Sequence, residues 1–334
     1  MKECTDYSLR WHNTFGIDVK ARRFVEYDTV SELQNIIPTL KAPFIHIGSG
    51  SNLLFTKDYE GTVLHGCITD PPTLVSDTDE QDILVRAGAG MIWDNFVEYC
   101  INHDWYGTEN LSLIPGEVGA AAVQNIGAYG VEAKDLIHEV ELVDLNDGSH
   151  HVMANEQCRY AYRQSIFKSE LKGKFAVTHV TFRLQRNFTP KLDYGGIRSA
   201  LQGICNPTAK EVRQAIISIR TQKLPEPRVL GNAGSFFMNP VVPAKKAESI
   251  RADYPNMPSY DVSGGVKIPA GWLIEQCGWK GKALGKAGVY EKQALVLVNL
   301  GGATGEEVLR LCEAVCKDVY ERFGVTIKPE VNIL

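Results

Sequence analysis

Five short stretches of the sequence carry residue types that could do chemistry. In Gly48-Ser49-Gly50-Ser51-Asn52 a side-chain-poor backbone lets successive N–H groups converge on a phosphate, with Ser49, Ser51 and Asn52 as extra donors. The spacing matches neither the GxGxxG dinucleotide turn nor the Lys-Ser/Thr ending of a P-loop, so a tight structural turn explains it equally well. Residues 115–130 hold Gly116, Gly119, Ala120, Asn125 and Gly127 in a run of small side chains. Such a run costs backbone entropy on folding. Close approach to a large, flat or extended ligand would account for it, and so would tight packing of a helix against a sheet.

The third stretch, 159–165, carries Arg159 and Arg163 four residues apart, on one helical face or bracketing a loop. In the fourth, Ser235 follows the flexible turn Gly231-Asn232-Ala233-Gly234 and precedes Phe236-Phe237, which could hold its hydroxyl against a flat ring. No GxSxG elbow and no neighbouring His or Asp supports a hydrolase nucleophile there. The fifth is Glu330 in Lys328-Pro329-Glu330-Val331-Asn332, which in isolation reads as an exposed acid. Residue chemistry alone therefore reaches a phosphate-binding α/β enzyme.

The elements around these stretches follow from capping and periodicity. Thr29-Val30-Ser31-Glu32 is a capping box that opens a helix towards Leu40, and Pro43 ends it before a short strand at 44–47. Strands are expected at 62–67 and 83–87, separated by a loop with an acidic patch at 77–82. Ile92, Phe96, Val97 and Cys100 recur at helical spacing. Residues 137–145 and 149–153 flank Asp147-Gly148 as a hairpin, and 177–184 reads as a further strand. A helix from Thr208 runs past Ile219 until Lys223-Leu224-Pro225-Glu226-Pro227 marks a domain boundary. Beyond it come a short helix at 270–277, a buried strand at 294–300, and a helix capped by Thr304 and Glu307 that stops at Gly324.

Bulk properties narrow the class. The 334 residues are 44% hydrophobic and 22% charged, as in a folded globular protein, and allow two or three domains. With 35 basic against 40 acidic residues, a net charge of -5 argues against nucleic acid as a partner. No membrane span, signal peptide, repeat or low-complexity stretch is expected. The eight cysteines form no CxxC and no zinc spacing, so no metal and a cytoplasmic location are expected; Cys312 and Cys316 read as core thiols on one helix face.

Taken in order, 48–52, 112–130, Tyr162-Arg163-Gln164-Ser165, 231–240, 269–275 and Lys328-Pro329-Glu330 make the chain resemble the UDP-N-acetylenolpyruvoylglucosamine reductase family over essentially its whole length. The resemblance implies an α+β chain: a two-part FAD-binding fold of the vanillyl-alcohol oxidase type, then an α/β substrate-binding domain. The implied boundaries are 1–70 joined by the tail 325–334, then 71–222 with an inserted Tyr segment, then 223–324. It implies non-covalent FAD held by 48–52 and 116–127, NADPH as reductant, and UDP-N-acetylglucosamine enolpyruvate as second substrate; it names no protein partner.

On the same resemblance Arg163 and Glu330 steady the substrate's developing charge and Ser235 supplies the proton that completes reduction. Tyr194 in Leu192-Asp193-Tyr194-Gly195 matches the substrate-covering Tyr of the family's longer form. Lys223, Asn239 and Arg220 match positions near the diphosphate, and Gln293 a polar contact to substrate. Met238 stands where many members carry lysine, and Ala161 where glycine is frequent. A different FAD-linked oxidase on this fold would explain the glycines but not Ser235 and Glu330 in their contexts. A flavin or nucleotide-sugar sensing module without turnover would not need the three together.

Overall fold

Eleven residues from Phe175 to Gln185 form the longest strand, and its apolar residues Ala176, Val177, Val180, Phe182 and Leu184 are buried. Thr178, His179 and Thr181 are buried too, so neither face of this strand meets water freely. It is the centre of a five-stranded antiparallel sheet in the order His150–Ala154, Ile137–Asp144, Phe175–Gln185, Asp82–Gly88, Thr73–Ser76. The hairpin read around Asp147-Gly148 is its first pair, with Val143 opposite His150. The computed structural model describes residues 1–76 and 82–334; of the acidic patch at 77–82, residues 77–81 lie outside the described residues.

The chain divides into two compact units. The first comprises Met1–Tyr7, Ala21–Ser49 and Glu60–Gln222, the second Ser8–Lys20, Gly50–Tyr59 and Lys223–Leu334.

In the first unit a four-stranded sheet runs in the order Lys2–Ser8, Lys20–Tyr27, Tyr59–Gly66, Phe44–Ile47, with the last two parallel. Thr29 caps the helix Val30–Ile36 by accepting the Glu32 N–H at 3.2 Å. The helix expected to run to Leu40 ends earlier, tightening into a 3-10 turn at Ile37–Thr39, because Pro38 has no N–H to continue the ladder. Trp93–Asn102 buries Trp93, Phe96, Val97, Cys100 and Ile101; Phe96 lies 4.6 Å from Phe182, centroid to centroid. The seven-residue helix Val118–Gln124 turns Gly119, Ala121 and Ala122 inward onto the long strand. Ala209–Lys223 packs Val212, Ala215, Ile216 and Ile219 with Ile197 and Leu201.

In the second unit the antiparallel order is Gly231–Asn232, Leu297–Asn299, Ala287–Val289, Ala283–Leu284. The strand expected over 294–300 is shorter, since the Val296 N–H closes a turn on the Gln293 carbonyl at 3.1 Å. Gly305–Phe323 carries the expected apolar stripe and ends at Gly324, whose φ of 59° is the left-handed cap read from the sequence. Asn332–Ile333 pairs in parallel with Leu53–Leu54, and the Leu334 carbonyl accepts from Thr56 N at 2.8 Å. Phe15 packs edge-on to Phe236, while the Phe15 carbonyl accepts from the Asn299 amide at 2.9 Å.

Candidate active site

The two arginines of 159–165 do not share a helical face. Arg159 ends a 3-10 turn with φ 47°, exposed and paired with Glu170 at 2.7 Å. Arg163, with φ 54°, lies in a tight turn closed by the Ala161–Gln164 backbone bridge. Its guanidinium donates to the carbonyls of Gly127 at 2.7 Å and Asn125 at 3.3 Å, so it meets the glycine- and alanine-rich stretch directly. The Asn125 side chain braces that turn, donating to the Ala161 carbonyl at 2.9 Å and to Glu132 at 3.1 Å while accepting from Lys134 N at 2.9 Å.

Small residues in this stretch serve two different ends. Gly119 is buried, its amide donates to the Ala89 carbonyl at 2.8 Å, and a Cβ there would come within 2.8 Å of the Ala89 methyl. Its smallness is a matter of packing helix on strand. Gly116, at φ 121°, passes its carbonyl to Trp93 N at 3.0 Å. Gly48 and Ala120 are half-exposed, and a Cβ on Gly48 would lie 3.7 Å from the Ala120 methyl and 2.6 Å from a Glu117 carboxylate oxygen. Glu117 also accepts the Ser49 N–H. In the second unit Gly50, at φ 71°, is packed so tightly on the His12 backbone that no Cβ fits. Asn52 donates to the Glu330 carbonyl at 3.3 Å, and its own carbonyl accepts from Asn332 N at 3.0 Å; Ser51 is half-buried beside it.

Tyr194 and Tyr129 interlock with glycines in a reciprocal way. The exposed Tyr194 ring covers Gly130 so closely that a methyl could not be added, and a methyl on Gly195 would strike the Tyr129 ring at 2.5 Å. The buried Asn110 amide ties the two segments together, donating to the carbonyls of Tyr129 at 2.8 Å and Lys191 at 2.9 Å. Burial raises the Tyr129 phenol above its ordinary value, opposed by the neighbouring Arg220. Burial in turn lowers the Arg220 guanidinium, opposed by Tyr129 and Asp94; its Nε donates to the Leu113 carbonyl at 3.2 Å.

In the second unit the backbone aligns the Ser235 and Glu330 segments. Glu330 N donates to the Phe236 carbonyl at 2.8 Å, Met238 N to the Lys328 carbonyl at 2.9 Å, and Phe237 bridges Pro329. Phe236 and Phe237 are both buried, whereas Ser235 just before them is exposed and Glu330 is half-buried. Asn239 Oδ1 accepts from Ala270 N at 2.9 Å, which caps the helix Ala270–Gln276. Gln293 Oε1 accepts from Leu295 N at 3.3 Å and faces Gly271. Lys223 is exposed at the end of Ala209–Lys223.

Residues 225–334 match the family described as UDP-N-acetylenolpyruvoylglucosamine reductase, C-terminal domain, and residues 21–154 match the FAD binding domain family. A UDP-N-acetylenolpyruvoylglucosamine reductase of Bacteroides fragilis is 56% identical over 331 residues, covering 98% of this chain and 99% of its own. One from Chromobacterium violaceum is 47% identical, covering 98% of each. The chain belongs to the UDP-N-acetylenolpyruvoylglucosamine reductase family. The crystal structure of such a reductase from Thermus caldophilus shares the fold with a TM-score of 0.70 at 23% identity, over 99% of this chain and 98% of that one.

A reductase of this family is an FAD-binding oxidoreductase, and the residues here fit the cofactor. Gly48, Ala120 and Gly127 are half-exposed and carry at most a methyl group, and Gly127 lies next to Arg163. Such a surface lets backbone come close to a flat ring or a diphosphate. Among the described residues no helix is long and apolar enough to cross a membrane.

Sequence reasoning missed the partners of this surface. His65 bridges Glu26 at 3.0 Å and Glu117 at 3.4 Å, with the Cys67 thiol 3.5 Å away. Burial works against the charged form of His65, yet hydrogen bonds with Cys67 and Glu117 push its pKa up to about 11. Burial likewise raises the Glu117 carboxyl, with His65 opposing. Glu117 was findable as the one acidic residue within an otherwise small-residue run; Asn110 and His65 carried no local signal.

Proposed function

We propose that this chain reduces UDP-N-acetylglucosamine enolpyruvate to UDP-N-acetylmuramate at the expense of NADPH, as a cytoplasmic step in peptidoglycan precursor synthesis. FAD held by 48–52 and 116–127 would supply the hydride chemistry that links NADPH to the enolpyruvyl double bond. Support comes from relatives of that name matching the chain end to end, and above all from Arg163 meeting the carbonyls of Asn125 and Gly127 in the FAD-binding part.

Within this reading the chain's own residues divide the work. Arg163 and Glu330 orient the substrate carboxylate and balance the charge that builds as the double bond is reduced. Ser235, exposed and followed by the buried Phe236 and Phe237, delivers its hydroxyl proton to the carbon bearing the ether oxygen. Tyr194, Arg220, Lys223, Asn239 and Gln293 hold the sugar nucleotide, the cations through its diphosphate. Gly48, Ser49, Gly50, Ser51, Asn52, Gly116, Gly119, Ala120, Asn125 and Gly127 form or brace the flavin cradle. The division into 1–70 with 325–334, 71–222 and 223–324 belongs to the same proposal, with the last part binding substrate.

Absorbance of the purified protein tests it. The flavin band should bleach with NADPH under anaerobic conditions and return on adding the enolpyruvyl substrate. Bleaching reversed only by oxygen would mark an oxidase, and no bleaching at all a sensing module.

A further inference from the structure

A chain that cradles a diphosphate with backbone amides has no need of an acid at the same amides, yet Glu117 is there. Its carboxylate accepts the Ser49 N–H and lies where a Gly48 side chain would begin, 2.6 Å from that Cβ position. The side chain is only 8% exposed, so this is no chance surface contact. Two residues hold it in place: His65 hydrogen-bonds it at 3.4 Å and is itself fixed from the far side by Glu26 at 3.0 Å. His65 thus sits between two carboxylates, and the one on Glu117 faces the loop. We propose that Glu117 is a built-in stand-in for the cofactor's phosphates, occupying the Ser49 amide until the FAD diphosphate displaces it, and so sets how tightly FAD is held.

This rests on reading 48–52 as the cradle for that diphosphate. Two anions cannot share one donor without repulsion in a largely buried setting, where charges are weakly screened. His65 gives the displaced carboxylate a partner, so displacement leaves no orphaned buried charge. Glu117 thus keeps the loop's amide satisfied in the empty protein and restrains affinity in the loaded one.

The full-length protein, stripped of flavin, is titrated with FAD and with riboflavin, which lacks phosphate, following flavin fluorescence. Glu117→Gln keeps the size and an acceptor for Ser49 but removes the charge. It should bind FAD on the order of tenfold more tightly and riboflavin as the parent does. Unchanged or weaker FAD binding overturns the proposal, and so does equal tightening of both ligands. Glu117→Ala, read alongside a thermal melt, should shift FAD affinity in the same direction, and loss of that shift in a folded variant also counts against it. Amide hydrogen exchange of the parent isolates the underlying reading. If FAD slows exchange in the 48–52 peptide while Glu117→Gln changes nothing, the stand-in role alone fails. If FAD leaves that peptide unaffected, the cradle reading fails and the proposal with it.

Discussion

The Arg163 guanidinium donates to the Gly127 carbonyl at 2.7 Å, tying the one inward arginine of its turn to the backbone of the glycine- and alanine-rich stretch. A fork-shaped donor that reaches two carbonyls at once is set in orientation before any substrate arrives, which a lysine could not reproduce.

Arg163→Lys should therefore leave flavin reduction by NADPH near the parental rate and slow reoxidation by the enolpyruvyl substrate by about 10²–10³-fold, the usual consequence of losing an electrostatic donor. Stopped-flow absorbance resolves the two halves. Equal slowing of both would assign the arginine to holding the cradle instead.

Ser235 offers the cleaner separation, because its side chain is exposed and its removal leaves the buried Phe236 and Phe237 in place. Ser235→Ala should keep FAD and bleach normally, while the substrate half slows by ~10²–10⁴-fold, the range for a lost general acid. Parental reoxidation would exclude it as the proton donor.

The tyrosine interlock predicts a local effect from a distant methyl. Gly195 has φ 65° and faces the Tyr129 ring, so Gly195→Ala costs about 1–2 kcal/mol in backbone strain alone and forces the ring aside. Trypsin should then cut after Lys191 faster than in the parent, and KM for the sugar nucleotide should rise more than kcat falls. An unchanged cleavage pattern would mean that the ring contact does not hold the segment.

His65 links stability to alkaline pH. Its folded value of about 11 lies above the ordinary 6.5, so the stabilisation is complete below about 6.5 and is lost as pH rises towards 11. Thermal melts between pH 6 and 10 should fall for the parent and more shallowly for His65→Gln. Parallel slopes would refute the charge assignment.

Local signals were legible where one segment suffices. The Thr29 and Thr304 caps, the Gly324 stop and the 137–144 hairpin all follow from residues within a few positions of one another. The Arg163 turn was legible as a motif, but the way Asn125 braces it was not, since 36 residues separate Asn125 from Ala161. Glycine gave a mixed message for a physical reason. A missing Cβ serves close backbone packing at Gly119 and Gly50 but makes room for the Glu117 carboxylate at Gly48, and the letter is the same. His65 lies 52 residues from Glu117, and periodicity supplies a face for a residue but no partner.

The second unit is assembled from three pieces, with residues 8–20 and 50–59 waiting on 223–334. On a translating ribosome Phe15, Leu54 and Phe55 emerge early, whereas Phe236, the helix start at Gly305 that packs on the Phe55 carbonyl, and the Asn332–Ile333 strand come last. At ordinary elongation speeds the wait from the early pieces to the late ones is on the order of ten seconds. Throughout it an apolar edge that is buried in the finished protein lies open to neighbouring chains. Yield in a cell should therefore depend on holdase capacity and growth temperature more steeply than the stability of the finished protein would suggest.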